Sequence, residues 1–100
     1  MTSPADVAAA ADALATTYFF YSSDHGYKLG QWRVGTSKQH PYDTDVRVPF
    51  LVRGPGIAAG ATVPALAGNV DLLPTMLELA GIAAPDGVDG RSLAPLLLGT

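Results

Sequence analysis

Three residues of this 100-residue chain have types and spacing that suit chemistry on an anion: Asp24, His25 and Lys38, the last fourteen positions beyond Asp24. A carboxylate is a hard oxygen donor and an imidazole a borderline nitrogen donor, so adjacent Asp24 and His25 can hold a metal ion. They follow Thr17 to Ser22, a run of aromatic and β-branched residues closed by serine, which reads as a buried strand. Gly26 lets the backbone turn there. In open α/β sheets, ligands bind outside the carboxyl ends of strands, which is where this pair falls. Lys38 lies across a loop rich in glycine and polar residues. A metal with a lysine is a common clamp for a tetrahedral oxyanion such as sulfate or phosphate. Taken alone, an Asp-His-Gly triplet after a strand is also consistent with a plain turn, and both readings stand at this point.

The elements that must position these residues follow from period and capping. Ser3 to Ala15 reads as a helix, with Ser3 as N-cap, Pro4 at the first helical position and Asp6 completing an S-x-x-D capping pattern. Val7, Ala11 and Leu14 share its apolar face. Tyr27 to Asp45 reads as a long loop of little regular structure, and long loops in compact domains are usually functional or disordered. Tyr27, Trp32 and Tyr42 are expected to pack it down. Tyr42 and Asp43 brace the loop, with Arg47 as ion partner, and His40 is a surface histidine. Phe50 to Arg53 reads as a second short buried strand, ended by Gly54-Pro55-Gly56. Ala58 to Pro64 suits a surface connection. Asp71 is the expected N-cap of a helix running from Leu72 to Ala80, with Gly81 as its stop. Leu73, Met76, Leu77 and Ala80 form its apolar stripe, and Met76 reads as core packing. Pro85 to Gly90 is a turn-rich loop, and Ser92 to Leu98 a last short helix begun or interrupted at Pro95. The order of elements makes the chain α/β, with strands near 17–22 and 50–53 and helices near 4–15 and 71–80.

Composition bounds the function. Hydrophobic content of 48% marks a chain that expects burial rather than a disordered tail. A net charge of −3 argues against nucleic acid or an anionic membrane as partner. The absence of cysteine excludes a disulfide framework and a thiolate metal site, and leaves the redox compartment open. No apolar run approaches the roughly 20 residues of a membrane helix. The N-terminus does not pair a basic region with an apolar one, so a signal peptide is not expected.

The longer stretches carry more than the triplet. T-Y-F-F-Y-S-S-D-H-G-Y-K-L-G-Q, the Lys38 spacing, Y-D-T-D-V-R-V-P, L-V-R-G-P-G-I, N-V-D-L-L-P-T-M-L-E-L-A-G-I and V-D-G-R-S-L-A-P-L-L occur in this order from about Ala11 to Leu98. Together they resemble the sulfatase family of the alkaline-phosphatase-like superfamily, in the branch of N-acetylglucosamine-6-sulfatase and iduronate-2-sulfatase. The resemblance implies a fragment of a mixed sheet flanked by helices, the C-terminal part of a sulfatase catalytic domain over residues 1–100. It implies calcium-dependent hydrolysis of sulfate esters, with sulfated sugars as the substrate class. It implies Asp24 and His25 as metal ligands, Lys38 as the contact to a sulfate oxygen, and a structural role for Asp89-Gly90-Arg91-Ser92. Family members are often secreted, periplasmic or lysosomal.

Three features depart from the family pattern. Many relatives have Asp-Asn where this chain has Asp24-His25, and the imidazole widens the choice of metal. Relatives often have histidine at the position of Lys28, which suggests a place near the substrate. The formylglycine nucleophile of the family arises in a Cys/Ser-x-Pro-x-Arg motif; this motif and the family's N-terminal Asp pair are absent from the 100 residues. The chain alone is therefore expected to be inactive and unstable, with unpaired strand edges. Two other readings remain: phosphodiester or phosphonate hydrolysis on the same scaffold, and a non-catalytic truncated product.

Overall fold

The computed structural model describes all of residues 1–100, in two units, Met1–Pro55 and Gly56–Thr100. No helix is long and apolar enough to cross a membrane.

The first unit begins with α1, Pro4–Ala10. Its capping box is formed: the Asp6 amide donates to Ser3 Oγ at 3.1 Å and the Ser3 amide to Asp6 Oδ2 at 2.8 Å. The helix is shorter than the expected span to Ala15. Asp12 turns left-handed at φ 54° and a 3₁₀ turn follows at Leu14–Thr16. The cause is missing packing. No residue of α1 is buried and Val7 faces solvent, so nothing beyond the cap extends a short alanine-rich helix.

Strand β1 (Phe19–Ser22) pairs antiparallel with β2 (Phe50–Arg53), in the register Phe19 to Arg53 and Ser22 to Phe50. Phe20, Ser22, Phe50 and Val52 share one face, which is half-buried, and the Phe20 and Phe50 rings lie 6.3 Å apart. The opposite face carries Tyr21 against Leu51, both 64% exposed. Arg53 lies over the Phe19 ring at 5.7 Å. The expectation of fully buried strands is corrected: the two strands form a two-stranded sheet with one solvated face. Tyr18 locks the end of the pair. Its hydroxyl donates to the Pro55 carbonyl at 3.0 Å, and its ring lies where a Cβ on Gly54 would stand.

The loop after β1 has more structure than expected. Lys28 and Ser37 form a β-bridge, Gln31–Arg33 a 3₁₀ turn, and Asp43–Val46 the short helix α2. Trp32 and Arg33 both sit at positive φ (55° and 59°), a strained conformation for residues with side chains. Trp32 meets Tyr42 edge-on at 5.4 Å, and Tyr42 stacks on His40 at 5.8 Å. These rings pack on one another at the surface, with Trp32 64% exposed, and do not bury the loop as expected. Arg47 pairs with Asp43 at 3.7 Å, as the loop-bracing reading requires.

The second unit is built round α3, Leu72–Leu79. Asp71 stands at the N-cap position of α3, as expected, but its side chain makes no capping bond to the helix. Its carboxylate accepts from the Gly68 amide at 2.9 Å, closing the 3₁₀ turn Asn69–Asp71 that leads into the helix. The same carboxylate accepts from the Arg91 amide at 2.7 Å. Gly90 holds φ 86°, and a Cβ there would stand 2.3 Å from the Val70 carbonyl oxygen. The Asp-Gly-Arg-Ser segment thus has the structural role expected of it.

Buried Thr75 then fastens α4 (Ala94–Leu98): its hydroxyl donates to the Asp71 carbonyl at 2.6 Å and accepts from the Leu93 amide at 2.8 Å. This contact decides which face of α3 is covered. Pro74, Thr75, Leu93 and Ala94 are buried, while Leu73 and Ala80 face solvent and Met76 is 42% exposed. The core reading of Met76 and its stripe is therefore corrected. Gly81 stops α3 at φ 72°, as expected.

Candidate metal and oxyanion site

Strand β1 ends at Ser22, and Asp24 and His25 follow at its carboxyl end. The backbone there is shaped by short polar contacts. The His25 amide donates to Asp24 Oδ1 at 2.9 Å, and Ser23 Oγ donates to the His25 carbonyl at 2.9 Å. The His25 amide, the first cause, holds the Asp24 carboxyl below the ordinary carboxylate range against some opposing desolvation, helped by the nearby Lys38 charge. Asp24 stays ionised while reaching into solvent.

His25 is oriented from the other side. Its Nδ1 lies 2.7 Å from the Gly26 carbonyl, an acceptor only, so Nδ1 carries the proton and donates. In the neutral ring the lone pair is then on Nε2. Lys38 Nζ lies 2.6 Å from Nε2 and Asp24 Oδ2 lies 3.2 Å from it. The three residues singled out by type and spacing therefore meet at one point. The Asp24 oxygen and the Lys38 ammonium both approach His25 Nε2.

The donor set fits a divalent ion in part. A carboxylate oxygen and an imidazole nitrogen stand side by side, and the carbonyl contact on Nδ1 is the outer-shell support that metal-bound histidine uses. No group of three or more His, Cys, Asp or Glu is gathered here. A calcium ion takes about six to eight oxygen ligands, so the pair supplies a minority of a full set. A groove on the second unit, lined by Pro74, Glu78, Ile82 and Ser92 among others, includes none of the three residues.

Lys28 is where the sequence reading fails. Its side chain is 0% exposed and its Nζ bonds Asp45 Oδ2 at 2.5 Å, so it does not face a substrate. A buried ammonium is held where a counter-charge meets it. Asp45, 3% exposed, also accepts from the His40 amide at 2.9 Å and from Thr44 Oγ1 at 3.2 Å. Burial by itself would raise the Asp45 pKa; the bonds from Lys28, His40 and Thr44 outweigh it and keep the pKa below the ordinary value. Sequence reasoning passed over Asp45. Nothing in a spacing of seventeen residues marks it as the partner of Lys28.

With this geometry in hand, comparison with known proteins gives a consistent answer. The family model described as Sulfatase matches residues 7–82. The chain is 53% identical over 85 residues to an extracellular sulfatase SULF-1 homolog of Drosophila melanogaster, covering 85% of this chain and 8% of that protein. It is 46% identical over 87 residues to human N-acetylglucosamine-6-sulfatase, covering 86% of this chain and 16% of that protein. It thus spans a small part of the length of these relatives. Among solved structures, one protein in complex with its substrate, D-glucosamine-2-N,6-O-disulfate, matches with TM-score 0.81 and 36% identity over 90% of this chain and 18% of that one. A phosphonate monoester hydrolase from Silicibacter pomeroyi matches with TM-score 0.85 and 34% identity over 93% of this chain and 18% of that one.

Proposed function

Because this chain belongs to the sulfatase family, whose members are hydrolases acting on sulfuric esters, we propose that Asp24, His25 and Lys38 form part of the metal and oxyanion site of an enzyme that hydrolyses sulfate esters of sugars. One observation carries the reading: the Lys38 ammonium and the Asp24 carboxylate both lie within 3.2 Å of His25 Nε2. Sugar as substrate is supported by the relatives that act on sulfated glucosamine. On this reading residues 1–100 are the C-terminal part of a catalytic domain, and the nucleophile and remaining metal ligands come from sequence ahead of them.

Each residue has a defined task. Asp24 offers an ionised oxygen and His25 a nitrogen lone pair aimed by its bond to Gly26. Calcium is the ion proposed; when bound, it would supply positive charge toward the sulfate oxygens. Lys38 supplies a second point charge and donates hydrogen bonds to the oxyanion, favouring the charge that grows as the S–O bond breaks.

The test is hydrolysis of a chromogenic aryl sulfate with added calcium, on the 100-residue chain and on a fusion of this chain to the N-terminal part of a sulfatase. The fusion is expected to turn over and the chain alone is not, since attack on sulfur needs an activated nucleophile. Turnover by the purified chain, abolished by Asp24→Ala, would overturn this division of parts. A phosphonate hydrolase reading is favoured by the match to the phosphonate monoester hydrolase. The same fusion assayed on an aryl phosphonate decides between the two by the ratio of rates.

A further inference from the structure

Lys28 and Asp45 are buried charges that the proposed chemistry leaves unused. Stability alone does not call for them: a buried ion pair loses so much hydration that well-packed apolar residues in its place are often as stable or more so. Here the pair is a junction. The Lys28 amide donates to the Ser37 carbonyl at 2.8 Å, and the His40 amide donates to Asp45 Oδ2 at 2.9 Å. Those bonds grip the loop on either side of Lys38. From the other direction, the Gly26 amide donates to the Asp45 carbonyl at 2.7 Å, next to His25. Gly26 also packs so closely that a Cβ there would overlap the Thr44 carbonyl oxygen.

We infer that Lys28 and Asp45 are a positioning pair: their buried ion pair joins the two backbone segments that carry these bonds, and the Asp45 carboxylate holds the His40 amide, so that Lys38 is set against Asp24 and His25. An apolar pair would fill the space but has no acceptor for the His40 amide. The inference rests on the functional reading of Lys38 as the oxyanion contact. It adds two residues that touch neither metal nor substrate and act through Lys38.

The test is a cycle of kinetic measurements in the fusion. The variants are Lys28→Met with Asp45→Leu, Lys38→Ala, and all three together. The apolar pair is expected to remain folded in a urea titration and to lower kcat by about tenfold to a hundredfold, the scale of a small misplacement of a catalytic group. The triple variant is expected to be no slower than Lys38→Ala. A folded apolar-pair variant with undiminished kcat overturns the inference, as does a triple variant slower than Lys38→Ala by the full factor of the pair. A structural role alone predicts that second result. Should the apolar pair not fold, NMR on the unaltered fusion serves. Slow exchange of the His40 amide and a cross-peak between the Lys38 ε-methylene and His25 Hε1 are expected, and absence of either overturns the inference. If Lys38→Ala leaves turnover unchanged, the functional reading of Lys38 fails, and the NMR contact still tests the positioning by itself.

Discussion

At the scale of the residue, the proposed site rests on one ionised oxygen and one ammonium. In the fusion, Asp24→Ala is expected to abolish calcium-dependent turnover, because it removes the only carboxylate of the converging set. Lys38→Ala is expected to lower kcat by roughly two to three powers of ten, the scale for losing one oxyanion donor. Initial rates on an aryl sulfate across a calcium series check both. The Asp24 pKa is depressed, first by the His25 amide. A depressed carboxylate favours the folded state above its unfolded value, and that contribution is lost as pH falls through the lower folded value. A carbon-13 titration of the Asp24 carboxyl in the chain is therefore expected to show a midpoint below the ordinary value of about 3.9. A midpoint at or above that value would mean the His25 amide bond does not persist in solution. Asp24, His25 and Lys38 were legible in the sequence because their chemistry is local, two adjacent ligands after a strand and a lysine in the connecting loop. Lys28 was misread because an exposed and a buried lysine look alike in sequence, and the partner that buries it is seventeen residues away.

At the scale of the element, hydrogen bonds rather than apolar stripes choose which faces are covered. Thr75 shows this in the second unit, where its hydroxyl is the acceptor for the Leu93 amide. Thr75→Val keeps the shape and leaves a buried N–H without a partner, a loss of about 1–3 kcal/mol. Urea unfolding of the chain followed by circular dichroism measures it, and an unchanged midpoint would show that α4 does not depend on this bond. The stripe of Leu73, Met76, Leu77 and Ala80 was visible as a helical period, but periodicity names a face and not its neighbour. The same limit applies to α1. Its start was legible because Ser3, Pro4 and Asp6 act within one turn. Its end was not, because helix length past the cap depends on packing that α1 does not have.

At the scale of the whole chain, more surface remains in water than compact folding would leave, and large apolar side chains are part of it. The accessible surface is 7471 Å². Two separate compact bodies sharing the chain's mass equally would expose about 6,500 Å² in total. Leu29, Leu51, Leu66, Leu73 and Ile82 are all exposed, and each edge of the two-stranded sheet lacks a further strand. Such edges and patches favour association. The 100-residue chain is expected to bind the dye ANS and to self-associate as its concentration rises, and the fusion to do so less. Sedimentation velocity over a concentration series checks this; a monomeric, dye-silent chain would contradict it.

By itself the sequence determined the family, the α/β order of elements, the cap of α1 and the stop of α3, and it singled out the three residues from which the site is proposed. All of these rest on residue types at short spacing or on long motifs in order, where the physics is local to one turn, one strand end or one loop. Only the tertiary structure decided that β1 and β2 pair with one face in water, that Pro74 and Thr75 rather than Met76 are the buried residues of α3, and that Lys28 is sealed against Asp45. Each of these turns on which distant group meets a polar atom as water leaves it. An unpaired buried charge or amide is costly, so the partner sets the arrangement, and the partner is known only when the chain has folded.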